Sequence, residues 1–391
     1  MPVTPIVNQT DLPEIHRAGW VVIDSDNQIN DGFVKVLNNE IIEVAKWVNK
    51  PDAAVIDHGS GLIFPSLINA HTHLELSAFK GALTVGKNFK EWVKELLYRR
   101  ENTTKKELSL GYKNGVAELI ASGCFVAGEI TTLGDFEEDF KLLDIEGVYF
   151  NEYLGGIENR PEDHLFKDGF TKSFAGHAPH TTSPDLLKYL KQLCRKNNLP
   201  FSIHLSESEE EEEFIKTGKG EWADFLRQRG IDFSSWPVTE NGSVAYLDAL
   251  GILDDKTIAV HLIRADQKDY SVLKDNNVNV CLCPRSNQNL HGRLPDAVTM
   301  FDKKINLCLG TDSLASTQSL SIIDEICVMN KEYPEISPRE IFRMATINGA
   351  KALGVSDRFG TIATGKSGKC FYLPVDVEKD TDVYTSFMRY N

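Results

Sequence analysis

From Leu62 onward, short apolar runs of strand length alternate with stretches of helical periodicity, and this alternation constrains the chain more than any other feature. The strand-like runs span 62–68, 124–129, 148–152, 173–176, 201–205, 258–262, 278–283 and 305–309. Between them, Phe89, Trp92, Val93, Leu96 and Leu97 follow the spacing of one apolar helix face. Ser183 and Pro184 read as the cap and first residue of another helix, which buries Leu186, Leu187, Leu190 and Leu193. Eight strands separated by helices over about 300 residues predict an α/β fold, a (β/α)8 TIM-type barrel, rather than an open sheet.

The two ends of the chain follow a different pattern. "GWVVID" and "DGFVKVLNNEIIEVAK" before the barrel, and "GKCFYLPVDV" after it, alternate like antiparallel strands with turns between them. They predict one small β domain built from residues 1–61 and 360–391, flanking a barrel over 62–359. The net charge of -15 excludes nucleic acid as a partner, because phosphate-backbone binding requires clustered cations. Neither a signal-like N-terminus nor an apolar run of membrane length is present, so the expectation is a cytoplasmic protein without membrane contact, with a homodimer left open. Seven cysteines in mostly apolar surroundings read as reduced core thiols, and the Cys281/Cys283 spacing is tighter than structural zinc sites prefer. The run Glu209 to Glu213 reads as the acidic first turn of a helix.

The chain has ten histidines, and five of them fall at one end of the expected strands. His71 and His73 follow the first strand, His177 the fourth, His204 ends the fifth and His261 the sixth; Asp312 follows the eighth. Barrel enzymes place their chemistry at the C-terminal ends of their strands. Imidazoles with a carboxylate suit one divalent transition metal, zinc or iron, with a position left for water. In extended backbone His71 and His73 point to the same side. Such an ion brings the pKa of bound water from about 15.7 toward roughly 7. Glu207, three residues beyond His204, is placed to move the protons.

"NAHTHLELS", "HLSE", "VHL" and "LGTDSLAS" together resemble the amidohydrolase superfamily over nearly the whole chain. The resemblance implies metal ligands at His71, His73, His204 and Asp312, with Glu207 shuttling protons and His261 orienting the attacking water. "SFAGHAPH" offers no lysine for a second metal, which favours a single ion and the branch of ring deaminases and chlorohydrolases. His180 stands where that branch commonly has Tyr, and its role is open. His177 is expected to contact substrate, as are Glu75 and Ser313 inside the same motifs.

Within the branch, "GHAPHTTSP" and "CPRSN" add a similarity to the aminodeoxyfutalosine deaminases of menaquinone biosynthesis, which hydrolyse the 6-amino group of an adenine nucleoside. The alternatives share the reacting ring: S-adenosylhomocysteine, methylthioadenosine and adenosine. Arg285 either binds a substrate carboxylate or pairs with a neighbouring acid, and Trp92 either covers the substrate or packs in the core. "GTIATGKS", residues 360–367, matches a phosphate-loop pattern, but "GKCFYLPVDV" after it reads as a strand where a phosphate loop needs a helix. A scaffold that had lost its chemistry would lack metal ligands, and here every expected ligand is present.

Overall fold

The computed structural model describes residues 3–388 apart from 8–10, 49–52, 85, 87, 133–135, 162–170, 376 and 378–381. Eight parallel strands form a barrel: β1 (Leu67–Thr72), β2 (Cys124–Thr131), β3 (Glu146–Tyr153), β4 (Thr171–Gly176), β5 (Phe201–Leu205), β6 (Thr257–His261), β7 (Asn279–Leu282) and β8 (Asn306–Leu309). Each pairs with the next, the β1–β2 ladder with register shifts after Leu67 and after Asn69. Buried Ile68, Val126, Val148, Phe150, Ile258 and Val260 form a core cluster of their own, separate from the larger one that includes the surrounding helices.

The first apolar run is two strands rather than one. Leu62–Pro65 leaves the barrel and pairs antiparallel with Cys370–Leu373 and parallel with Trp20–Val21. Proline lacks the N–H of a barrel ladder, and Pro65 marks the change of sheet. The small sheet holds seven strands from both ends of the chain. Its hairpin Gln28–Leu37 to Glu40–Lys46 turns at Asn38 and Asn39, both left-handed (φ 51° and 59°), as a tight two-residue hairpin requires.

The seam between β1 and β8 is short. The His71 carbonyl accepts from the N–H groups of both Thr311 and Asp312, at 3.1 Å each, and Asn69 exchanges side-chain bonds with Thr311. Gly310 permits this approach: a Cβ there would lie 2.8 Å from the His71 carbonyl oxygen and 2.8 Å from Cys281 Sγ. The resemblance of residues 360–367 to a phosphate loop ends in the small sheet. Lys366 Nζ donates to the carbonyls of Ser356 and Phe359, and a strand follows. All seven cysteines are free, six of them buried. Among the described residues no helix is long and apolar enough to cross a membrane.

Gly310→Ala is therefore expected to prise β1 from β8. An overpacked core site costs about 1 to 3 kcal/mol, so urea unfolding should show a loss of that size, whereas a neutral result would mean that the seam yields without strain.

Candidate functional site

Strand geometry brings the histidines together at the C-terminal rim. His71 lies on β1 and His73 one residue beyond it, while His204 and His261 lie on β5 and β6. His71 is fully buried, and neither of its ring nitrogens has a hydrogen-bond partner. Its ring centroid is 4.9 Å from those of both His73 and His204. The Nε2 atoms of His73 and His204 stand 3.3 Å apart. One donor atom from each of the three residues falls within 4.8 Å of the others.

Second interactions fix how these rings face. His204 Nδ1 donates to the His177 carbonyl at 2.7 Å, which leaves Nε2 with a lone pair toward the cluster. Asp312 Oδ2 accepts from Ser286 Oγ at 2.5 Å and Ser316 Oγ at 3.0 Å, while Oδ1 lies 3.8 Å from His73 Nε2. Burial, followed by the neighbouring imidazoles, pushes His71 well below its usual range. Burial also lowers His204, and it lowers His73 to about 3 although Asp312 pulls the other way. These rings are neutral at pH 7, the form in which imidazole binds a metal ion.

The carboxylates divide into two groups. Burial alone would raise Glu207, but His261 at 3.7 Å and a 3.0 Å bond from His291 Nε2 outweigh it and hold the group well below the usual carboxylate range. Glu152, at the end of β3, is pushed up to about 8, mainly by burial and then by Glu75. Glu75 accepts from Thr131 Oγ1 at 2.7 Å and Thr132 Oγ1 at 3.0 Å. The acidic run opens the helix Glu209–Thr217, as its sequence reads, and Glu211 in that first turn is fully buried, raised to about 8 by burial and then by Glu212, and accepts the backbone N–H groups of Ser206 and Glu207 at 2.8 and 2.9 Å. It shapes the loop that carries Glu207. Ser206, His261 and Asp312 all hold left-handed backbone (φ 53°, 78° and 58°), a cost tolerated where surrounding contacts fix the chain.

A cavity of 190 Å³ opens over this rim. His177, Glu75 and Ser313 line it. So do Glu152, His180 and Arg100. The helix Phe89–Glu101 forms one wall: Phe89, Trp92, Val93, Leu96 and Leu97 all border the cavity, while Trp92 also belongs to the main core cluster and Phe89, Val93 and Leu96 pack against it. Trp222 and Phe225, on the helix Glu221–Gln228, face it as well, and the Trp222 ring lies 4.6 Å from that of His180. Both nitrogens of His180 are buried without a hydrogen-bond partner.

Arg285 is not brought to the cavity. Its guanidinium turns to the helix Ile322–Glu332, pairing with Glu325 at 2.8 Å and Asp324 at 3.1 Å and donating to the carbonyls of Ser319 and Ser321. The expectation of a substrate contact at Arg285 is corrected by this: buried Glu325 demands a cation, and Arg285 has no donor to spare for the cavity. Arg100, on the face that also bears Trp92 and Leu96, borders the cavity with no ion pair among the described residues. The same helical spacing that singled out Trp92 could have found it. Glu152 obeys the strand-end rule and was equally accessible. His291 and Glu211 lie on helices, where no such rule points to them.

A barrel with neutral imidazoles and paired carboxylates at its C-terminal rim is the architecture of a hydrolase. The chain belongs to the amidohydrolase family, whose model matches residues 62–384, and it is an enzyme acting on carbon–nitrogen bonds. It is 30% identical over 381 residues to a 5-methylthioadenosine/S-adenosylhomocysteine deaminase of Pyrococcus furiosus, covering 90% of this chain and 82% of that protein. Among solved structures it is similar to the Helicobacter pylori aminofutalosine deaminase in complex with methylthio-coformycin (24% identity, TM-score 0.82, 96% and 95% coverage). It is also similar to an adenosine deaminase from Xanthomonas campestris with bound zinc (22% identity, TM-score 0.78, 96% and 88% coverage).

Arg285→Ala should act on stability. Removing one partner of a buried ion pair costs about 3 to 5 kcal/mol, so chemical unfolding should show a loss of that order while substrate KM stays within a factor of about two. A large KM effect in a stable variant would return Arg285 to the substrate site.

Proposed function

We propose that this chain hydrolyses the exocyclic amino group of a 6-aminopurine nucleoside, releasing ammonia, and that the nucleoside carries a carboxylate far from the ring, as 6-amino-6-deoxyfutalosine does. The observation that carries the reading is the trio His71, His73 and His204, neutral and buried, of which His73 and His204 line the floor of an aromatic-walled cavity beside Glu207 and Asp312 with His71 beneath them. The residues fit a divalent ion on their own chemistry: His71 has two orphaned nitrogens, and the lone pair of His204 Nε2 faces His73 Nε2 at 3.3 Å. Held by His71, His73, His204 and Asp312, zinc or iron supplies the charge that makes water acidic enough to react at neutral pH. Zinc is the metal of the Xanthomonas neighbour.

The chain's own groups then handle protons and position. Ionised Glu207 takes a proton from the attacking water and delivers it to the purine ring nitrogen. His261, whose Nδ1 is held by Asn287 at 2.8 Å, turns Nε2 toward the same space and orients the water. Asp312, its second oxygen occupied by Ser286 and Ser316, takes the second proton of the attacking water and passes it to the exocyclic nitrogen, which leaves as ammonia. His177, Glu75 and Ser313 border the purine and ribose, and Trp92 and Phe89 cover the substituent. Arg100 answers the carboxylate in place of Arg285.

The Pyrococcus relative supports a second reading, in which the substituent is a thioether or an amino acid and the carboxylate contact is weaker or absent. A panel of 6-aminopurine nucleosides assayed for ammonia release separates the two. Arg100→Ala should raise KM for a carboxylate-bearing nucleoside about 10- to 100-fold, the equivalent of about 1.5 to 3 kcal/mol, and leave adenosine nearly unchanged. Equal effects on both would remove the acidic substituent from the proposal.

Glu207→Gln tests the chemistry itself. The variant should keep its metal, measured by elemental analysis, and lose about 10² to 10⁴ in kcat with little change in KM. Loss of metal would make Glu207 a ligand, and retained kcat would assign the protons to another group.

A further inference from the structure

The helix Pro284–His291, which follows β7, touches each of the proton-handling groups. Ser286 reaches Asp312, Asn287 holds His261, and His291 at its last turn donates from Nε2 to Glu207 Oε1 at 3.0 Å. The helix stops immediately afterwards at Gly292, left-handed at φ 61°, so His291 projects from the terminus toward the loop after β5. Its side chain is only 5% exposed, and the Phe89 ring packs 4.6 Å from it. No strand end points to this histidine, and the mechanism above gives it no task.

We infer that His291 is a positioning residue for Glu207, the hydrogen bond that selects which carboxylate oxygen carries the proton. The inference rests on the reading of Glu207 as the proton carrier. Both imidazoles that approach the carboxylate do so at Oε1: His291 Nε2 at 3.0 Å and His261 Nε2 at 3.7 Å. Oε2 is left as the oxygen that accepts from water and gives to the ring. A glutamate on a loop otherwise samples several rotamers, and a misplacement of about 1 Å costs on the order of 10²-fold in rate. The peptide of Glu207 is anchored separately by Glu211, so His291 fixes the side chain alone.

His291→Phe fills the same space without a donor. It should lower kcat about 10- to 100-fold on the fastest nucleoside of the panel, with metal content, melting temperature and KM unchanged. His291→Gln, which keeps an N–H donor, should recover most of the loss. In a Glu207→Gln background His291→Phe should cost nothing further. A crystal structure of His291→Phe should show Glu207 in a new rotamer. The inference is overturned by wild-type kcat in His291→Phe, by a Gln variant no better than Phe, by equal losses in both backgrounds, or by an unmoved Glu207 side chain. If Glu207→Gln itself proves fully active, the functional reading fails, and the rotamer in the crystal still decides whether His291 positions that side chain.

Discussion

The seam that closes the barrel governs where everything else in the site can be. The carbonyl of His71 takes the N–H groups of Thr311 and Asp312, Thr72 Oγ1 donates to the Asp312 carbonyl, and the His73 N–H reaches the same oxygen at 3.3 Å. Residues 71–73 therefore bracket Asp312, His71 and His73 through their main chain and Thr72 through its hydroxyl. His71 at the end of the first strand, His73 just beyond it and the carboxylate after the last strand meet because the sheet closes there. The left-handed backbone of Asp312 is tolerated because these bonds over-determine it.

Burial then acts on every titratable group at the rim, and partners decide the outcome. Glu207 and Glu152 are both withdrawn from water, yet the first is held ionised by facing imidazoles and the second is pushed up to about 8 beside another acid. The proposed proton carrier is charged and ready to accept, while a neighbouring carboxyl holds its proton at neutral pH.

Much of this was legible in the sequence because period and strand ends are local signals. Alternation predicted the eight barrel strands, and five histidines at strand ends predicted the rim. The split at Pro65 was hidden because Leu62–Ile68 reads as one apolar run whichever sheet each half joins. Arg285 could not be assigned because the choice between a ligand and Glu325 depends on how the Ile322–Glu332 helix lies across it. The apolar face of Phe89–Glu101 was visible, but what a face covers is a tertiary fact, and this one covers the cavity. His291 meets Glu207 only because a helix after β7 ends beside a loop after β5.

The wall of the cavity stands apart from its floor. Floor groups come from strand ends and from the helix after β7, locked to one another by closure, whereas Phe89, Trp92, Leu96, Leu97 and Arg100 come from a single helix outside the barrel ladder. On the proposed reading, selection acting on that one segment would exchange one substrate substituent for another while the proton machinery stayed as it is. Divergence of substrate range and persistence of reaction type are thus compatible in this architecture, because they are inherited through different stretches of chain.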